Sequence, residues 1–310
     1  MLSRRIIRVK VMQALYTVES SSGGSGNGEA RKILLENINQ ARHLCTYLVS
    51  FLNEVARYAE KDAAQKARKN LPTYQDLHVN TKIAGNEILW ATLENPSFKK
   101  SVSEFKIEHA LNDELIKKIY IALLDTEDYR DYISQDSRDR KSDRKIMEVI
   151  FRDLMLPSED FISEVEEKFI HWDDDAEMMV VLVNSVLHKP AAFNFTDMVS
   201  KEKMDYATEL LECVLDKKEF CLSLIKPKLK NWDAERIASI DMILMEMGVC
   251  EFLFFDTIPP KVTINEYIDL AKEYSTEQSG HFINGILDNI HKELLADNKI
   301  HKRNFKNSTL

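Results

Sequence analysis

Apolar residues recur at intervals of three and four along most of the chain, which is the spacing of one face of an α-helix. The first long example runs from Glu29 to about Asn70. Further stretches with this spacing cover residues 79–93, 103–134, 142–154, 158–188, 202–217, 219–230, 233–255, 263–274 and 279–295. No stretch alternates apolar and polar residues as a half-buried strand does. The pattern therefore predicts an all-α protein.

Short polar or proline-containing segments separate these helical stretches. The clearest is SSSGGSGNG at residues 20–28, which is too poor in apolar side chains to stay ordered by burial and predicts a flexible loop. Pro72 ends the first long helix, and the pairs Asn95-Pro96, Leu156-Pro157 and Lys189-Pro190 mark later boundaries. The residue before a proline is biased away from helical conformation, so each pair predicts the end of an element.

The first predicted helix combines cations with apolar side chains in RRIIRVKVMQALY, residues 4–16. At about 100° per residue, one face forms a core stripe, consisting of Ile7, Val11, Ala14, Leu15 and Val18. A second face consists of Arg5, Val9, Met12 and Tyr16, so this helix is expected to pack inward and still present a surface. Arg4, Arg5 and Arg8 gather at the N-terminal end, either as snorkelling arginines on a core helix or as phosphate contacts.

The most distinctive stretch is TIPPKVTINEYIDLAKEYSTEQSGHFINGILD, residues 257–288. Pro259-Pro260 ends the preceding helix, and Thr263 with Glu266 has the spacing of a capping box. Gly285 lies inside a helical pattern, where glycine costs roughly 1 kcal/mol against alanine. Close packing of another helix is the expected reason. Phe282 lies at the edge of the apolar stripe, where it is either an ordinary partly exposed aromatic or a stacking platform for an unpaired base.

Composition narrows the possible functions. The 51 acidic and 42 basic residues give a formal net charge of −9, which argues against nucleic-acid binding over the whole surface, so any such binding must be local. The eight histidines show no metal-ligand spacing, the four cysteines form no CxxC pair, and no glycine-rich cofactor loop follows a strand. We therefore expect reduced thiols, no metal, no cofactor and no catalytic activity.

The chain also shows no targeting signal. No apolar run approaches the roughly 18 residues that a membrane span needs, and the N-terminus lacks the apolar segment of a secretion signal. We expect a cytoplasmic protein without a membrane partner.

Two groups of motifs resemble the NusB family of bacterial transcription antitermination factors. VKVMQALY resembles that family's Arg-rich start running into Q-A-L-Y. IPPKVTINEYIDLAKEYS and SGHFINGILD resemble its I-P-x-K-V-A-I-N-E, E-L-A-K and F-V-N-G-V-L-D patterns, and LIKPKL (224–229) and Asp241 also fall at similar places. The resemblance covers residues 1–18 and about 203–295.

The resemblance implies an all-α helical bundle protein without catalytic activity, with two NusB-like helical subdomains. Such a protein pairs with NusE, a small-subunit ribosomal protein, and binds single-stranded boxA-type RNA in nascent ribosomal transcripts within the RNA polymerase elongation complex. The site residues that it implies are RNA contacts at Arg4, Arg5, Arg8, Lys261 and Phe282 and partner contacts at Tyr16 and Asp241.

The chain is about twice the length typical of that family, so an additional helical insertion is expected. We predict an N-terminal helical subdomain with the insertion at 1–200, a C-terminal NusB-like subdomain at 201–295, and a basic, disordered tail at 296–310. The cations of that tail are Lys299, Lys302, Arg303 and Lys306.

Two departures from the family pattern leave a second function open. Met242 and Glu246 stand where the family often has arginines, which is expected to weaken or move an RNA surface. The alternative is a helical protein-interaction adaptor of NusB fold that does not bind RNA, which the acidic balance also favours.

Overall fold

The computed structural model describes residues 2–20, 26–229 and 237–303 of the 310-residue chain. Within these ranges there are α-helices and no strands, which confirms the all-α prediction. The helices are α1 (Arg4–Ser20), α2 (Asn27–Ala67), α3 (Tyr74–Leu77), α4 (Glu87–Glu94), α5 (Pro96–Phe105), α6 (Asp113–Leu124), α7 (Glu127–Ser134), α8 (Arg140–Val149), α9 (Glu159–Lys168), α10 (Trp172–His188), α11 (Lys201–Asp216), α12 (Lys218–Ile225), α13 (Ser239–Phe254), α14 (Pro260–Tyr274) and α15 (Glu277–Ala296). None of these described helices is long and apolar enough to cross a membrane.

The chain divides into two compact units. The insertion unit comprises residues 39–198, and the terminal unit comprises residues 2–38 together with 199–310. The predicted segments put residues 1–200 in one subdomain, whereas in the structure the first 38 residues group with the C-terminal helices. Helix α1 packs on α11 and α13, which are remote in sequence.

Some predicted helical stretches are divided in the structure. Residues 103–134 hold the end of α5 and the whole of α6 and α7, because Asn112 and Thr126 cap new helices. The Asn112 side chain accepts hydrogen bonds from the backbone N–H groups of Glu114 and Leu115. Such caps satisfy donors that have no partner within the helix, and the apolar spacing continues across them. The stretch 158–188 is also divided, into α9 and α10, although no side-chain cap begins α10.

The insertion unit has an aromatic core and a buried carboxylate. Phe51 and Phe161 pack with ring centroids 4.7 Å apart, and both are fully buried. Asp143 is buried on α8 and accepts hydrogen bonds from the Tyr132 hydroxyl at 2.7 Å and the Glu87 backbone N–H at 2.7 Å. A buried carboxylate is tolerated where its oxygens are satisfied, so these bonds tie α4, α7 and α8 together.

Helix α13 forms the core of the terminal unit. It packs on α1, α11, α12, α14 and α15, and every residue from Ile243 to Phe252 is buried. Gly248 allows α13 and α15 to approach closely, since a Cβ at this position would lie 3.0 Å from both terminal carbons of Leu287 on α15. The glycine predicted to serve close packing was Gly285, and that prediction is wrong. A Cβ at Gly285 would meet nothing within 4 Å.

The predicted capping box at Thr263 is also wrong. Helix α14 begins three residues earlier at Pro260, with Pro259 as its extended N-cap residue. Thr263 is therefore inside the helix, where its buried hydroxyl serves a tertiary hydrogen bond, and Glu266 bonds an arginine of α1. The end of the preceding helix before Pro259 is confirmed, because α13 ends at Phe254.

The predicted loop at 20–28 lies largely outside the described residues, which resume at Gly26 just before α2 begins at Asn27. The start of the helical stretch predicted at 233–255 also lies outside them, and α13 begins at Ser239.

Candidate functional site

Arg8 of α1 is held inside the terminal unit by a buried carboxylate. Its guanidinium donates to both oxygens of Glu251 on α13, at 2.8 and 3.1 Å, and to Glu266 on α14 at 3.0 Å. The resemblance assigns Arg8 to an RNA contact, but only 2% of Arg8 is exposed, so in this structure it is a core residue. A two-pronged arginine–carboxylate pair fixes orientation as well as distance, so it sets where α1 lies.

Three hydroxyl groups complete what we call the Glu251 cluster, which consists of Arg8, Tyr206, Glu251, Thr263 and Tyr267. The hydroxyls of Tyr206, Thr263 and Tyr267 all donate to Glu251, at 2.5, 2.8 and 2.9 Å. Burial and the Glu251 charge raise the pKa of both tyrosines, which stay neutral donors. Burial opposes the charge on Arg8, but Glu251 and the two tyrosines together outweigh it and raise the Arg8 pKa, so Arg8 stays charged.

Arg4 and Arg5 occupy the exposed end of α1, and each is paired with an acid. Arg4 lies 2.7 Å from Glu202 on α11, and Arg5 lies 2.6 Å from Glu273 and 3.9 Å from Asp269 on α14. The side chains of Arg4 and Arg5 are 39% and 37% exposed. Exposed ion pairs contribute little stability and exchange readily with solvent ions. These two cations are therefore accessible to an anionic ligand that displaces the acids.

The second face predicted for α1 is only partly a surface. Val9 and Met12 are buried, as are the core residues of the predicted stripe. Tyr16, the predicted partner contact, is 46% exposed near the C-terminal end of α1. It lies 12 residues beyond Arg4, which corresponds to about 18 Å along a helix. Tyr16 and the arginines therefore occupy opposite ends of α1.

Phe282 and Asp241 line the same pocket, although the resemblance assigns one to RNA and the other to a protein partner. We name it the α13–α15 pocket; it has a volume of about 250 Å³, and its lining includes Ile237, Ala238, Asp241, Ser275, Ser279 and Phe282. Phe282 is half-buried at its rim. Asp241 is buried and accepts a 2.8 Å hydrogen bond from the Ser279 hydroxyl. Its Oδ1 atom has no hydrogen-bond partner among the described residues.

Lys261 is exposed at the N-terminal end of α14. The acids that pair with Arg5 lie near the other end of this helix, and the α13–α15 pocket begins just beyond it. Lys261 and Glu273 are 12 residues apart, a rise of about 18 Å. The structure thus places Arg5 and the pocket at one end of α14 and Lys261 at the other.

Glu246 does not lie on a surface. It was expected to weaken an RNA-binding face, but it is 1% exposed on α13, and neither carboxylate oxygen has a hydrogen-bond partner among the described residues. Burial raises the pKa of Glu246 to about 7. Lys218 lowers that pKa, while Glu19 and Glu219 raise it. The acid at this position affects the core and does not oppose a bound phosphate directly.

The described part of the tail is attached to the terminal unit. The Lys302 ammonium donates to the backbone carbonyls of Glu251 and Phe255, each at 2.7 Å. Arg303 pairs with Asp256 at 2.6 Å, and Lys299 pairs with Asp297 at 2.8 Å. Lys302 therefore caps the C-terminal end of α13, where carbonyls lack helical partners. Lys306 lies outside the described residues.

Sequence reasoning missed Glu251, the residue with the most side-chain partners in this region. A signal was present, because Glu251 interrupts the otherwise apolar run from Val249 to Phe255. A single acid in such a run predicts a buried, paired carboxylate. The identity of its partners could not be read from the pattern. Separately, within the described ranges no group of three or more His, Cys, Asp or Glu residues could hold a metal ion.

Comparisons with known proteins find that part of this chain is similar to one protein family. The family described as the NusB family matches residues 176–292, which include α11 to α14 and most of α15. The match does not extend to α1, so the resemblance of residues 1–18 rests on the motif alone. No solved structure matches the chain.

Several curated proteins are similar over the same part of the chain. The transcription antitermination protein NusB of Methylacidiphilum infernorum is 38% identical over 101 residues, 33% of this chain and 70% of that protein. The protein of the same name from Listeria monocytogenes serotype 4a is 38% identical over 97 residues, 31% of this chain and 76% of that protein. The one from Chloroherpeton thalassium is 38% identical over 98 residues, 32% of this chain and 46% of its own length.

Proposed function

This chain belongs to the NusB family, and from that membership we propose that it is a transcription antitermination factor that binds RNA together with a NusE-type ribosomal protein. The RNA is single-stranded and boxA-like, and the complex acts on the RNA polymerase elongation complex. Curated relatives that are 38% identical carry the name transcription antitermination protein. The shared region includes most of the terminal unit.

The observation that carries the RNA part of the proposal is the position of Arg4 and Arg5. Both lie at an exposed helix end, and the Glu251 cluster anchors that end through Arg8. Anchoring matters because a cation on a fixed helix loses less conformational freedom when it binds a phosphate. In this proposal Arg4 and Arg5 contact phosphates, whereas Arg8 positions the helix.

Phe282 and Lys261 extend the proposed RNA contact in different directions. Phe282 at the rim of the α13–α15 pocket can stack on an unpaired base, and such stacking contributes roughly 1–3 kcal/mol per base. Lys261 lies at the opposite end of α14 from that pocket. It would contact a phosphate of a different nucleotide.

The proposed partner contacts are Tyr16 and Asp241. Tyr16 offers an exposed aromatic ring and a hydroxyl, a combination that is enriched at protein interfaces. Asp241 is buried, so it contributes only if a partner side chain enters the α13–α15 pocket and reaches its carboxylate.

The test is a titration of a boxA-type RNA and a scrambled RNA of equal length against the full chain, at several salt concentrations and with NusE present or absent. We expect tighter binding of the boxA-type RNA when NusE is present. Replacing Arg4 and Arg5 by Ala should reduce the log–log salt slope by about 1.4, since each single-strand phosphate contact contributes about 0.7. An unchanged slope would exclude these arginines from the site.

Phe282→Ala separates base stacking from a core role. If Phe282 stacks on a base, the variant should lose RNA affinity by roughly 1–3 kcal/mol and melt nearly as the parent does. A large loss of thermal stability with unchanged affinity per folded molecule would assign Phe282 to the core. Tyr16→Ala is the matched control, because it should weaken NusE pairing and leave binding of RNA alone unaltered.

A specific observation favours the second candidate, an adaptor of NusB fold that binds no RNA. Arg4 and Arg5 are both paired with carboxylates, and the chain carries a net charge of −9. The RNA titration decides between the two functions. Equal, weak binding of both RNAs at all salt concentrations, together with intact NusE pairing, would establish the adaptor.

A further inference from the structure

Three of the four cysteines lie together in the terminal unit, on three different helices. Cys213 is on α11, Cys221 on α12 and Cys250 on α13, and these helices pack on one another. The Cys221 and Cys250 sulfurs are 3.6 Å apart, and the Cys250 thiol also interacts with that of Cys213. We name these three residues the thiol cluster.

The members of the thiol cluster differ in their access to solvent. Cys221 and Cys250 are buried, whereas Cys213 is partly exposed in the last turns of α11. The hydrogen bond from Cys250 and the charge of Lys217 lower the Cys213 pKa, because both stabilise the Cys213 thiolate. Burial and the charge of Asp216 raise that pKa, but the net shift is downward. In contrast, the hydrogen bonds that Cys250 makes and its burial raise the Cys250 pKa.

We propose that the thiol cluster is a site of reversible oxidation by hydrogen peroxide, with Cys213 as the reacting thiol and Cys250 as the resolving thiol. The Cys213 thiolate attacks one oxygen of hydrogen peroxide, which gives a sulfenic acid and releases hydroxide, and the hydroxide is protonated to water. The Cys250 thiol then attacks the Cys213 sulfur, forms an S–S bond and releases the sulfenic oxygen as a second water. Overall, two thiols lose two hydrogens and one peroxide is reduced to two waters.

Cys221 gives the cluster a second state. Its sulfur already contacts the Cys250 sulfur, so its thiolate can attack there, form a Cys221–Cys250 disulfide and release Cys213. Either disulfide contains Cys250 and links α13 to a neighbouring helix. Cys250 precedes Glu251, so the disulfide forms next to the residue that anchors Arg8 and α1. A reductant that attacks the disulfide restores the thiols.

The test uses the full chain, reduced and freed of reductant, then treated with hydrogen peroxide. Free thiols are alkylated, and peptides from a digest without reductant are identified by mass spectrometry. We expect an intramolecular disulfide that contains Cys250, while Cys45 stays a free thiol. Cys45 is the internal control, because it is fully buried in the insertion unit and burial raises its pKa to about 12.

Three variants make the test specific. Cys213→Ser changes a partly exposed residue and should abolish disulfide formation under conditions that convert the parent. Cys250→Ser should leave Cys213 trapped as a sulfenic acid, detectable with a dione reagent. Cys45→Ser should behave as the parent does. If Cys250→Ser does not fold, Cys213→Ser alone still tests the order of the two steps.

Several results would overturn the proposal. One is a disulfide that forms as fast in Cys213→Ser as in the parent. Another is oxidation of Cys45 at the same rate as Cys213. A third is a main product that is an intermolecular disulfide, or a Cys213 sulfinic acid without any disulfide.

Discussion

Glu251 shows how one residue organises the terminal unit. Its carboxylate accepts hydrogen bonds from Arg8, Tyr206, Thr263 and Tyr267, so α1, α11, α13 and α14 meet at a single group. A buried ion pair is weak support for stability by itself, because removing two charges from water is costly. Removing Glu251 alone is costly, since Arg8 then stays buried with only Glu266 as its ionic partner.

We predict that Glu251→Gln lowers the free energy of unfolding by about 3–5 kcal/mol, as expected when one partner of a buried ion pair is removed. Chemical denaturation measures the change. The matched control is Glu202→Gln, which removes the exposed partner of Arg4 and should have little effect. Equal losses in both variants would show that Arg8 relaxes into solvent and that the Glu251 cluster does not fix α1.

Glu246 predicts a pH dependence of stability. Its pKa is raised from 4.5 to about 7 in the folded chain, chiefly by burial. Between these two pH values the folded state binds more protons than the unfolded state, so stability falls as pH rises. The fall should be on the order of 3 kcal/mol and end above about pH 7.

The measurement is a set of unfolding curves from pH 4 to 8 for the parent and for Glu246→Gln. The variant cannot titrate, so it should lack this fall and exceed the parent in stability at pH 8. The charged groups that shift the Glu246 pKa are Lys218, which lowers it, and Glu19 and Glu219, which raise it. Parallel pH profiles for the two proteins would show that Glu246 is ionised, or solvated, throughout.

Two glycines on packed helices show that the same residue type has different roles in different elements. Gly285 of α15 has open space around the position of a Cβ, whereas a Cβ on Gly248 of α13 would lie 3.0 Å from Leu287. Helix propensity alone favours alanine over glycine at both positions. Packing decides the outcome at Gly248.

We predict that Gly285→Ala raises the free energy of unfolding by about 1 kcal/mol, from helix propensity. Gly248→Ala should lower it by roughly 1–3 kcal/mol, because the added carbon forces Leu287 or the helix to move. Denaturant titrations of the two variants measure both changes. Stabilisation by Gly248→Ala would show that α13 and α15 separate easily.

The element boundaries also show the limit of periodicity. Apolar spacing predicted α2 closely, at 29–70 against Asn27–Ala67. It did not separate α6 from α7, because the apolar residues that the two helices bury continue the same three- and four-residue spacing across the boundary. The break depends on Thr126, whose side chain accepts from the Tyr129 backbone N–H. A cap is a single hydrogen bond between a polar side chain and the backbone, so the spacing of apolar residues does not reveal it.

At the scale of the whole molecule, carboxylates already pair with Arg4 and Arg5, the cations proposed for RNA binding, and so compete with a bound phosphate. The chain has a net charge of −9. In the free protein, Glu202 forms an ion pair with Arg4, and Glu273 forms one with Arg5. A ligand phosphate must displace these carboxylates, which weakens non-specific binding more than binding supported by additional contacts. This arrangement suits a factor whose RNA contacts are completed by a protein partner.

We predict that a double variant, Glu202→Gln with Glu273→Gln, binds scrambled RNA more tightly than the parent, with a salt slope steeper by up to about 1.4. Filter binding at several salt concentrations measures the slope. A control variant, Glu219→Gln, removes the same type of charge from α12 without contacting either arginine. If control and double variant gain equally, net charge alone accounts for the effect.

The sequence by itself determined the helical class, the core stripe of α1 and the family, because these depend on local spacing and on motifs. An α-helix turns once every 3.6 residues, so the residues of its buried face recur at intervals of three and four along the sequence. Of the surface positions that it predicted on α1, the structure exposes Arg4, Arg5 and Tyr16 and buries Arg8, Val9 and Met12.

Only the tertiary structure decided what Arg8, Glu246 and the cysteines do. Arg8 meets Glu251 across 243 positions of sequence, and the thiol cluster joins three helices. Whether a charge is solvated, paired or buried depends on which helices pack against it, and no local pattern carries that information. The chemistry of these residues therefore follows from helix packing, because packing sets the distance to the partner and excludes water from it.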